Sequence, residues 1–230
     1  MQYDNPENLP TIAIFDLDST ITRKDTYLAF LISLLLAKPW RLTRCLHLPV
    51  AIILHKTGLR NNSWLKAIFL RAIAGGLDRN NIEVCADRFL NKLQHNGLRP
   101  GALRAIQQHR QAGHQLVLAT ASFDFYTEKL ARKLGFNQII CTHAEWSPQG
   151  KLTGMIAGVN CYGTNKLQRL NEHFGRQREQ FYLIGYSDHH SDAAFLNWVD
   201  RGIAVNPTRK LKQLAGQSHL IVYDWENMIQ

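Results

Sequence analysis

The stretch TIAIFDLDSTIT, residues 11–22, constrains the fold more than any other part of this 230-residue chain. An apolar run ends there in two carboxylates, Asp16 and Asp18, which are separated by one residue. The run predicts a buried parallel strand. Because acidic residues are depleted in strands, we expect both carboxylates just beyond its carboxyl end, where open α/β sheets bind ligands. The same residues would also suit a strand-to-helix turn in which Asp18 or Ser19 caps a helix.

The charge balance favours anionic partners. The chain has 27 Lys and Arg against 18 Asp and Glu, a net charge of +9. Phosphate esters, nucleic acid and an anionic membrane surface would all suit this excess. The basic residues are scattered and no nucleic-acid-reading motif is present, so no nucleic-acid partner is expected. The four cysteines are far apart without a C-x-x-C pair, which argues against a zinc or redox motif and is typical of reduced thiols in a cytoplasmic protein.

Residues 24–96 are mostly helical in pattern and include two apolar runs, Tyr27–Ala37 and Cys45–Leu54. Each run is shorter than the roughly 18–20 residues that a membrane-spanning helix needs. Three cations, Lys38, Arg41 and Arg44, lie between the runs. Two interpretations remain open: helices buried in a helical subdomain or an oligomer interface, or a basic, Trp-bearing surface that lies on a membrane.

From residue 99 onward, helices and strands alternate, which predicts a parallel sheet covered on both faces. Residues 146–158 predict a hairpin turned at Ser147–Gly150. The predicted fold is therefore α/β, a doubly wound, Rossmann-like parallel sheet with an inserted all-helical domain and a small β-hairpin. We expect residues 1–22 and 99–230 to form the core and residues 23–98 to form the helical insertion.

Three further strand ends carry polar groups that a parallel sheet would bring to the edge occupied by Asp16 and Asp18. Taken singly, these groups would suit caps, turns or a solvated helix start. Together, clustered carboxylates require a cation, and hard oxygen ligands suit Mg²⁺. A hydroxyl and a lysine would bind phosphoryl oxygens, so the set predicts a phosphoryl-transfer site with a carboxylate nucleophile. The groups are Thr120 with Ala121 and Ser122, Lys166, and Asp188 with Asp192.

These motifs resemble the haloacid dehalogenase superfamily, specifically its phosphoserine-phosphatase-like branch (subfamily IB), in which a helical cap follows the first motif. DLDST at residues 16–20 matches the first motif, D-x-D-[GS]-T. The other motifs follow in the family's order, and residues 150–154 resemble the hairpin of phosphoserine phosphatases. The matching positions are Thr120 for the second motif, Lys166 in a C-x-G-x-x-K context for the third, and Asp188 and Asp192 for the fourth, D-x-x-x-D.

The resemblance implies a role for each motif residue. Asp16 would attack phosphorus and become an aspartyl-phosphate, while Asp18 would protonate the leaving alkoxide and then deprotonate the hydrolytic water. The implied Mg²⁺ ligands are the Asp16 and Asp188 carboxylates and the Asp18 backbone carbonyl, with Asp192 supporting through water. The implied phosphate-binding residues are Thr120, Ala121 and Lys166.

The cap would decide the substrate. Asp25 falls where phosphoserine phosphatases carry a glutamate that contacts the substrate amino group, and Ser122 and Arg71 are further specificity candidates. The family's cap arginine has no clear counterpart, although Arg60 and Arg71 are near its place. The apolar runs instead resemble relatives that act on phosphatidylglycerophosphate or similar lipid phosphates. The substrate therefore stays open between a small-molecule and a lipid-headgroup phosphomonoester.

The sequence thus predicts a Mg²⁺-dependent phosphomonoester hydrolase of the cytoplasm, with peripheral contact at the inner membrane surface through the cap as a further expectation. Its oligomeric state is open. Two alternatives are a phospho-accepting, receiver-like signalling domain and a membrane- or partner-binding protein with an inactive phosphatase fold. A receiver would not need Asp18 or a large helical insertion, and an inactive relative would be expected to have lost a motif residue, which this chain has not.

Overall fold

The computed structural model describes residue 5 and residues 8–226 of the chain. In that part of the chain, seven strands form one sheet: β1 Thr11–Phe15, β2 Gln115–Phe123, β3 Gln138–Trp146, β4 Leu152–Ala157, β5 Tyr182–Ser187, β6 Arg201–Val205 and β7 Ile221–Tyr223. The α-helices are α1 Thr26–Ala37, α2 Leu48–Lys56, α3 Asn62–Ile73, α4 Arg79–Asn96, α5 Pro100–Gln111, α6 Asp124–Leu134, α7 Thr164–Phe174, α8 Ala193–Trp198 and α9 Arg209–Ala215.

The strand order is β4-β3-β2-β1-β5-β6-β7, and every neighbouring pair is parallel except β3 and β4. The first strand therefore lies in the middle of the sheet, between β2 and β5. The chain builds outward from β1 in one direction and then in the other, so the carboxyl end of β1 lies at the point where the strand order reverses. Ligand crevices of doubly wound sheets form at that point.

Side chains of β1 alternate between the two faces of the sheet, as strand geometry requires. Ala13 and Phe15 belong to one apolar cluster, and Ile12 and Ile14 belong to a second. Helices α5 and α6 contribute to the first cluster, whereas α7, α8 and α9 contribute to the second. The predicted doubly wound α/β class is confirmed.

Two details of the sheet bear on the sequence predictions. The predicted hairpin is confirmed as β3 and β4, whose pairing includes Trp146 opposite Leu152. The second strand is longer than expected, since it continues beyond Thr120 to Phe123. Its pairing with β3 becomes irregular between these two residues. Such an irregularity re-aims side chains, and it falls at the edge where the candidate site lies.

Two adjacent, hydrogen-bonded segments connect the helical insertion to the core. Thr22 and Leu98 form an antiparallel bridge, flanked by hydrogen bonds from the Arg23 N–H to the Gly97 carbonyl (2.8 Å) and from the Arg99 N–H to the Ile21 carbonyl (2.9 Å). We propose on this basis that residues 23–98 form the cap and that residues 1–22 and 99–230 form the core. Residues 1–4, 6, 7 and 227–230 of that core lie outside the described residues.

The two apolar runs become α1 and α2, which are joined by a 3₁₀-helical segment, Pro39–Cys45. Pro49 lies in the first turn of α2, where its missing N–H has no helical partner to lose. The rest of the helical stretch predicted over residues 24–96 forms α3 and α4. Within the described residues, no helix has the length and apolar character needed to cross a membrane.

Candidate active site

Asp16 follows β1 directly and is anchored by its backbone, because its N–H donates to the Tyr186 carbonyl of the neighbouring strand at 2.9 Å. The chain then makes an irregular helical turn over Leu17–Ile21. Ser19 adopts a positive φ of 60° there, a conformation uncommon outside glycine. The Thr22 hydroxyl stabilises the turn by accepting the Ser19 N–H at 3.2 Å. The turn brings both Asp16 and Asp18 to the wall of one cavity.

Lys166, at the start of α7, joins two carboxylates from different strand ends. Its ammonium donates to Asp16 Oδ1 at 2.7 Å and to Asp192 Oδ2 at 2.5 Å, and all three side chains are buried. The Ser187 hydroxyl also donates to Asp192 Oδ2, at 2.8 Å. Asp188 lines the same cavity. The structure therefore brings together residues of the first, third and fourth motifs, which are far apart in sequence.

Thr20 supports the cluster from the turn after β1. Its hydroxyl lies 3.2 Å from Asp16 Oδ2 and 3.3 Å from Asp188 Oδ1, so it bridges the first and fourth motifs. The side chain is fully buried. A buried hydroxyl between two carboxylates fixes their separation and lowers the cost of holding them close together.

The cluster carries more negative charge than Lys166 balances. Burial raises the pKa of Asp16 to about 8, with Lys166 acting against this shift and the neighbouring carboxylates adding to it. Burial and Asp192 likewise raise the pKa of Asp188 to about 7. Burial alone would lower the pKa of Lys166, but Asp16 and Asp192 outweigh it and the pKa lies above its ordinary value. Asp16 and Asp188, with their raised pKa values, and the buried Asp192 beside them offer hard oxygen donors that fit a divalent cation such as Mg²⁺.

Asp18 is held from two sides. Its Oδ1 accepts the backbone N–H and the hydroxyl of Thr26, both at 2.6 Å, and its Oδ2 accepts the Ser122 hydroxyl at 2.6 Å. Thr26 begins α1 of the cap, whereas Ser122 belongs to β2 of the core. The Thr26 hydroxyl also lies 3.1 Å from the hydroxyl of buried Tyr126. Ser122, a candidate for substrate specificity in the sequence, thus lines the cavity and orients Asp18 at the same time.

Of the predicted phosphate-binding residues, Ala121 and Lys166 line the cavity. Thr120 is fully buried behind them, and its Oγ accepts the Ser122 N–H at 3.0 Å. That hydrogen bond uses a lone pair of the hydroxyl and leaves its proton for donation to another acceptor. In this structure Thr120 shapes the segment that carries Ala121 and Ser122.

Lys66 of α3 is a site residue that sequence reasoning missed. Its ammonium donates to the Ala121 carbonyl and, at 3.3 Å, to Asn160 Oδ1. It also lies 4.5 Å from the ring centre of Phe123 and 5.3 Å from that of Tyr27. Burial lowers the pKa of Lys66 to about 8, although Asp18 and Asp25 act in the opposite direction. A buried cation therefore reaches from the cap into the cavity.

A sequence signal for Lys66 does exist. Four residues of α3 line the cavity at the spacing i, i+3, i+4 and i+7, which marks one face of a helix. They are Asn62, Leu65, Lys66 and Phe69. The family resemblance led us to expect an arginine in the cap, whereas the cation on this face is a lysine.

The structure corrects the placement of Arg71. This residue is exposed and is not among the cavity-lining residues, and its backbone packs against Gly154 of β4. Arg71 is five positions after Lys66, which turns it about 140° around the helix, away from the cavity. Arg60 also lies outside the cavity lining, with its guanidinium 5.3 Å from the Trp64 ring. Neither Arg60 nor Arg71 therefore lines the cavity, where the cap arginine of the family was expected.

Asp25 lines the cavity mouth and also caps α1, since its Oδ1 accepts the Leu28 N–H at 2.7 Å. Loss of solvation raises the pKa of its carboxyl, and the neighbouring Asp18 adds to the effect. The expected specificity position is thus at the cavity, although part of its hydrogen-bonding capacity is used by the helix.

The cavity has a volume of about 490 Å³ and lies between the carboxylate cluster and the cap. Its core side is polar, whereas the cap supplies apolar walls, among them Tyr27, Leu28, Leu65 and Phe69. Tyr162 and His189 also line it, although the sequence analysis did not single them out. A phosphoryl group would suit the polar end, and the apolar walls would suit the remainder of a substrate.

A second group of potential metal ligands lies outside the cavity. Ligand atoms of Glu128, Cys141 and His143 lie within 4.8 Å of one another. Burial raises the pKa of the Cys141 thiol to about 12, which disfavours the thiolate that a metal would need. His143 already pairs with Asp124 at 3.1 Å. We assign no metal to this group.

Comparisons with known proteins agree with this geometry. The model of the haloacid dehalogenase-like hydrolase family matches residues 13–197. Protein CicA of Caulobacter vibrioides is 34% identical over 171 residues, which is 72% of this chain and 73% of that protein. A probable phosphatase of Mycobacterium tuberculosis is 28% identical over 225 residues, covering 89% of this chain and 72% of the relative.

The fold is also that of a known group of enzymes. A solved complex of phosphoserine phosphatase with bound substrate matches with a TM-score of 0.63 over 96% of each chain, at 17% identity. The match with the family model covers most of the chain, including the first, second, third and fourth motif positions. The chain therefore belongs to the haloacid dehalogenase-like hydrolases and has the fold of the phosphoserine phosphatases.

Proposed function

We propose that this hydrolase cleaves phosphomonoesters in a Mg²⁺-dependent reaction through an aspartyl-phosphate intermediate. The observation that carries the proposal is the buried cluster at the carboxyl end of β1, where Lys166 contacts Asp16 and Asp192 and where Thr20 bridges Asp16 and Asp188. The family supplies the hydrolase class, and the names of its relatives support phosphatase activity. The intermediate, the metal and the substrate are parts of the proposal.

In the first step, an Asp16 carboxylate oxygen forms a bond to phosphorus and the ester P–O bond breaks. The leaving alkoxide takes a proton from Asp18. In the second step, Asp18 removes a proton from water, the water oxygen bonds to phosphorus, and the Asp16–phosphorus bond breaks to release inorganic phosphate. The hydrogen bonds from Thr26 and Ser122 orient Asp18 for both proton transfers.

When bound, Mg²⁺ would neutralise charge on the carboxylates and on the transferring phosphoryl group. The residues that would hold it are Asp16 and Asp188 through their carboxylates and Asp18 through its backbone carbonyl, with Asp192 supporting through water. The other phosphoryl ligands are the Lys166 ammonium, the Ala121 N–H and the Thr120 hydroxyl. Because a loose phosphoryl transition state is stabilised mainly by position and charge, these groups act as a unit.

Lys66 gives the cap a role in substrate choice. Its ammonium has three N–H groups, and two of them reach the Ala121 carbonyl and Asn160. The third can donate to a second anionic group of the substrate, such as a carboxylate or a phosphodiester. Both a small anionic metabolite and a lipid headgroup would supply such a group. We therefore propose a phosphomonoester with a second anion, acted on in the cytoplasm with peripheral membrane contact.

The experiment is a turnover assay with p-nitrophenyl phosphate in the presence of Mg²⁺ and of EDTA, for the wild type and Asp16→Asn. We expect the wild type to be active with Mg²⁺ and inactive with EDTA, and Asp16→Asn to be inactive in both conditions. Asp87→Asn serves as the matched control, since Asp87 is exposed and paired with Lys129 on the surface. Equal turnover by the wild type and Asp16→Asn, with Mg²⁺ and with EDTA, would rule the proposal out. If no turnover were found in any of these conditions, the result would favour the inactive-fold alternative.

A further inference from the structure

The cap exposes a series of large apolar side chains. Nine large apolar side chains between residues 28 and 59 are exposed, from α1, the 3₁₀ segment and α2 and its flanks. Leu36 is 79% exposed and Leu46 is 82% exposed. We call this set the cap face; it consists of Leu28, Ile32, Leu36, Trp40, Leu42, Leu46, Val50, Ile53 and Leu59.

The cap face is the outer side of elements whose inner sides are already used. Helix α1 buries Leu31 and Leu34, the 3₁₀ segment buries Arg41, and α2 buries Leu48 and Ala51. All three elements contact α3. Within α1, the exposed residues recur every four positions, which places them along one stripe of the helix. Exposed patches of this kind mark binding surfaces for membranes or proteins.

The charge of the cap favours an anionic lipid surface as the partner of the cap face. The sequence between Asp25 and Asp78 contains no acidic residue, yet it contains seven Lys and Arg residues. Of these, Arg44, Lys56, Arg60 and Arg71 are exposed. An anionic lipid surface would take up the apolar side chains and attract the cations at the same time. The exposed Trp40 is the side chain that prefers the boundary between headgroups and acyl chains.

A second copy of the chain fits this surface less well. Isologous pairing through the cap face would bring the same patch of each copy together. Such pairing would bring the positively charged caps of two copies together without any acidic residue from residues 26–77 to compensate. Like charges placed opposite one another across an interface disfavour the pairing. The anionic membrane is therefore the occupant to which we commit.

The cap face reaches the cavity. Leu28 lines the cavity wall and is also half exposed on the same helix stripe as Ile32 and Leu36. Leu65 and Phe69 continue the apolar wall inward toward Lys66. A substrate with an acyl chain would thus stay in contact with apolar surface from the bilayer to the cavity.

We infer that the cap face docks on anionic membranes and that the cavity accepts a phosphomonoester headgroup from a lipid in that membrane. The substrate part rests on the proposed phosphatase function, whereas the docking part does not. Docking is tested by cosedimentation with phosphatidylcholine vesicles, with and without phosphatidylglycerol, at low and high salt. We expect binding to the phosphatidylglycerol vesicles, weaker at high salt and weaker still without the anionic lipid.

The variant is the double substitution Leu36→Glu, Leu46→Glu. Each introduced charge should weaken binding roughly fivefold, apart from the loss of apolar contact. The matched control is Val159→Glu with Val222→Glu, two exposed apolar residues of the core. Unchanged turnover of p-nitrophenyl phosphate and an unchanged melting temperature show that the variant remains folded.

Equal vesicle binding by the variant and the wild type would overturn the docking surface, as would the absence of wild-type binding. A dimer in size-exclusion chromatography that the variant dissociates, without vesicle binding, would assign the cap face to a second copy instead. Asp16→Asn should bind vesicles like the wild type, so docking can succeed or fail separately from the phosphatase proposal.

The substrate part is tested with a diacylglycerol phosphodiester that ends in a phosphomonoester, and with its deacylated, soluble counterpart. We expect phosphate release from the vesicle-borne lipid to fall in the Leu36→Glu, Leu46→Glu variant while release from the soluble counterpart is unchanged. If the protein binds vesicles but hydrolyses only the soluble compound, the proposed lipid substrate would be wrong, whereas the proposed phosphatase activity would be retained. Hydrolysis of neither compound, together with no turnover of p-nitrophenyl phosphate, would overturn the phosphatase.

Discussion

Replacing Lys66 by methionine tests the role of the cap in substrate choice. The substitution keeps an unbranched apolar side chain but removes the ammonium, which lies 4.5 Å from the ring centre of Phe123 and 5.3 Å from that of Tyr27. Since Lys66 is only 8% exposed, its charge acts in a poorly solvated environment. A hydrogen bond to a charged group there contributes about 1.5–3 kcal/mol. We therefore expect kcat/KM to fall roughly 10- to 150-fold for a substrate that carries a second anion.

Part of that loss has another origin, because Lys66 also holds the Ala121 carbonyl beside the phosphoryl site. This second effect is shared by every phosphomonoester. The informative quantity is the ratio of kcat/KM between a soluble dianionic substrate and p-nitrophenyl phosphate, which has no second anion. This ratio should fall in Lys66→Met, because only the substrate with a second anion loses a charged partner. It should stay at the wild-type value in Arg71→Met, since Arg71 lies on the same helix but faces away from the cavity.

The pH dependence supplies an independent check. The pKa of Lys66 is lowered to about 8, so the ammonium is charged below that pH and neutral above it. The wild-type preference for the substrate with a second anion should therefore decline as the pH rises through about 8, and Lys66→Met should lack this decline. An equal loss for both substrates, or a preference that does not change with pH, would refute the assignment of Lys66 as the anion-binding residue.

Three further predictions concern the turn, the hairpin and the core. Thr20→Val removes the hydroxyl shared by Asp16 and Asp188, so the Mg²⁺ concentration for half-maximal turnover should rise roughly 10- to 100-fold in a metal titration. Gly154→Ala places a Cβ 2.4 Å from the Arg71 Cα at a φ of +87° and should cost more than about 2 kcal/mol in denaturant unfolding, whereas Gly150→Ala, which meets nothing within 4 Å, should cost only about 1 kcal/mol. Burial lowers the pKa of His109 from 6.5 to about 3, so the unfolded chain binds the extra proton and stability falls with pH below 6.5, by about 2 kcal/mol at about pH 5. That part of the pH dependence should vanish in His109→Gln, and its persistence would contradict the assignment to this residue.

The sequence by itself determined the class of fold and indicated the edge of the sheet at which the candidate site lies. An apolar strand that ends in Asp16 and Asp18, followed by alternating helices and strands, leaves few arrangements other than a doubly wound sheet with its ligand edge at those carboxylates. Asp192 could be assigned to the same edge because parallel strands share one direction. Lys166 was assigned there on the same ground, but it follows the antiparallel strand β4, so strand direction does not account for its place. The structure has these groups in direct contact.

Only the tertiary structure decided which side chains of the cap face the cavity. Sequence spacing places Lys66 and Arg71 on one helix but does not say which face meets the core, because that depends on how α3 packs against the hairpin. The second role of Ser122 as a donor to Asp18 depends on the irregular end of β2 in the same way.

The exposure of Leu36 and Leu46 is another outcome that the sequence left open. The run Tyr27–Ala37 is apolar on nearly every side, so its periodicity predicts a helix without indicating which side is buried. Contacts between α1 and α3 bury one side and leave the other in solvent. Local patterns fix what each segment can form, whereas the faces that meet are chosen by packing between segments distant in the chain.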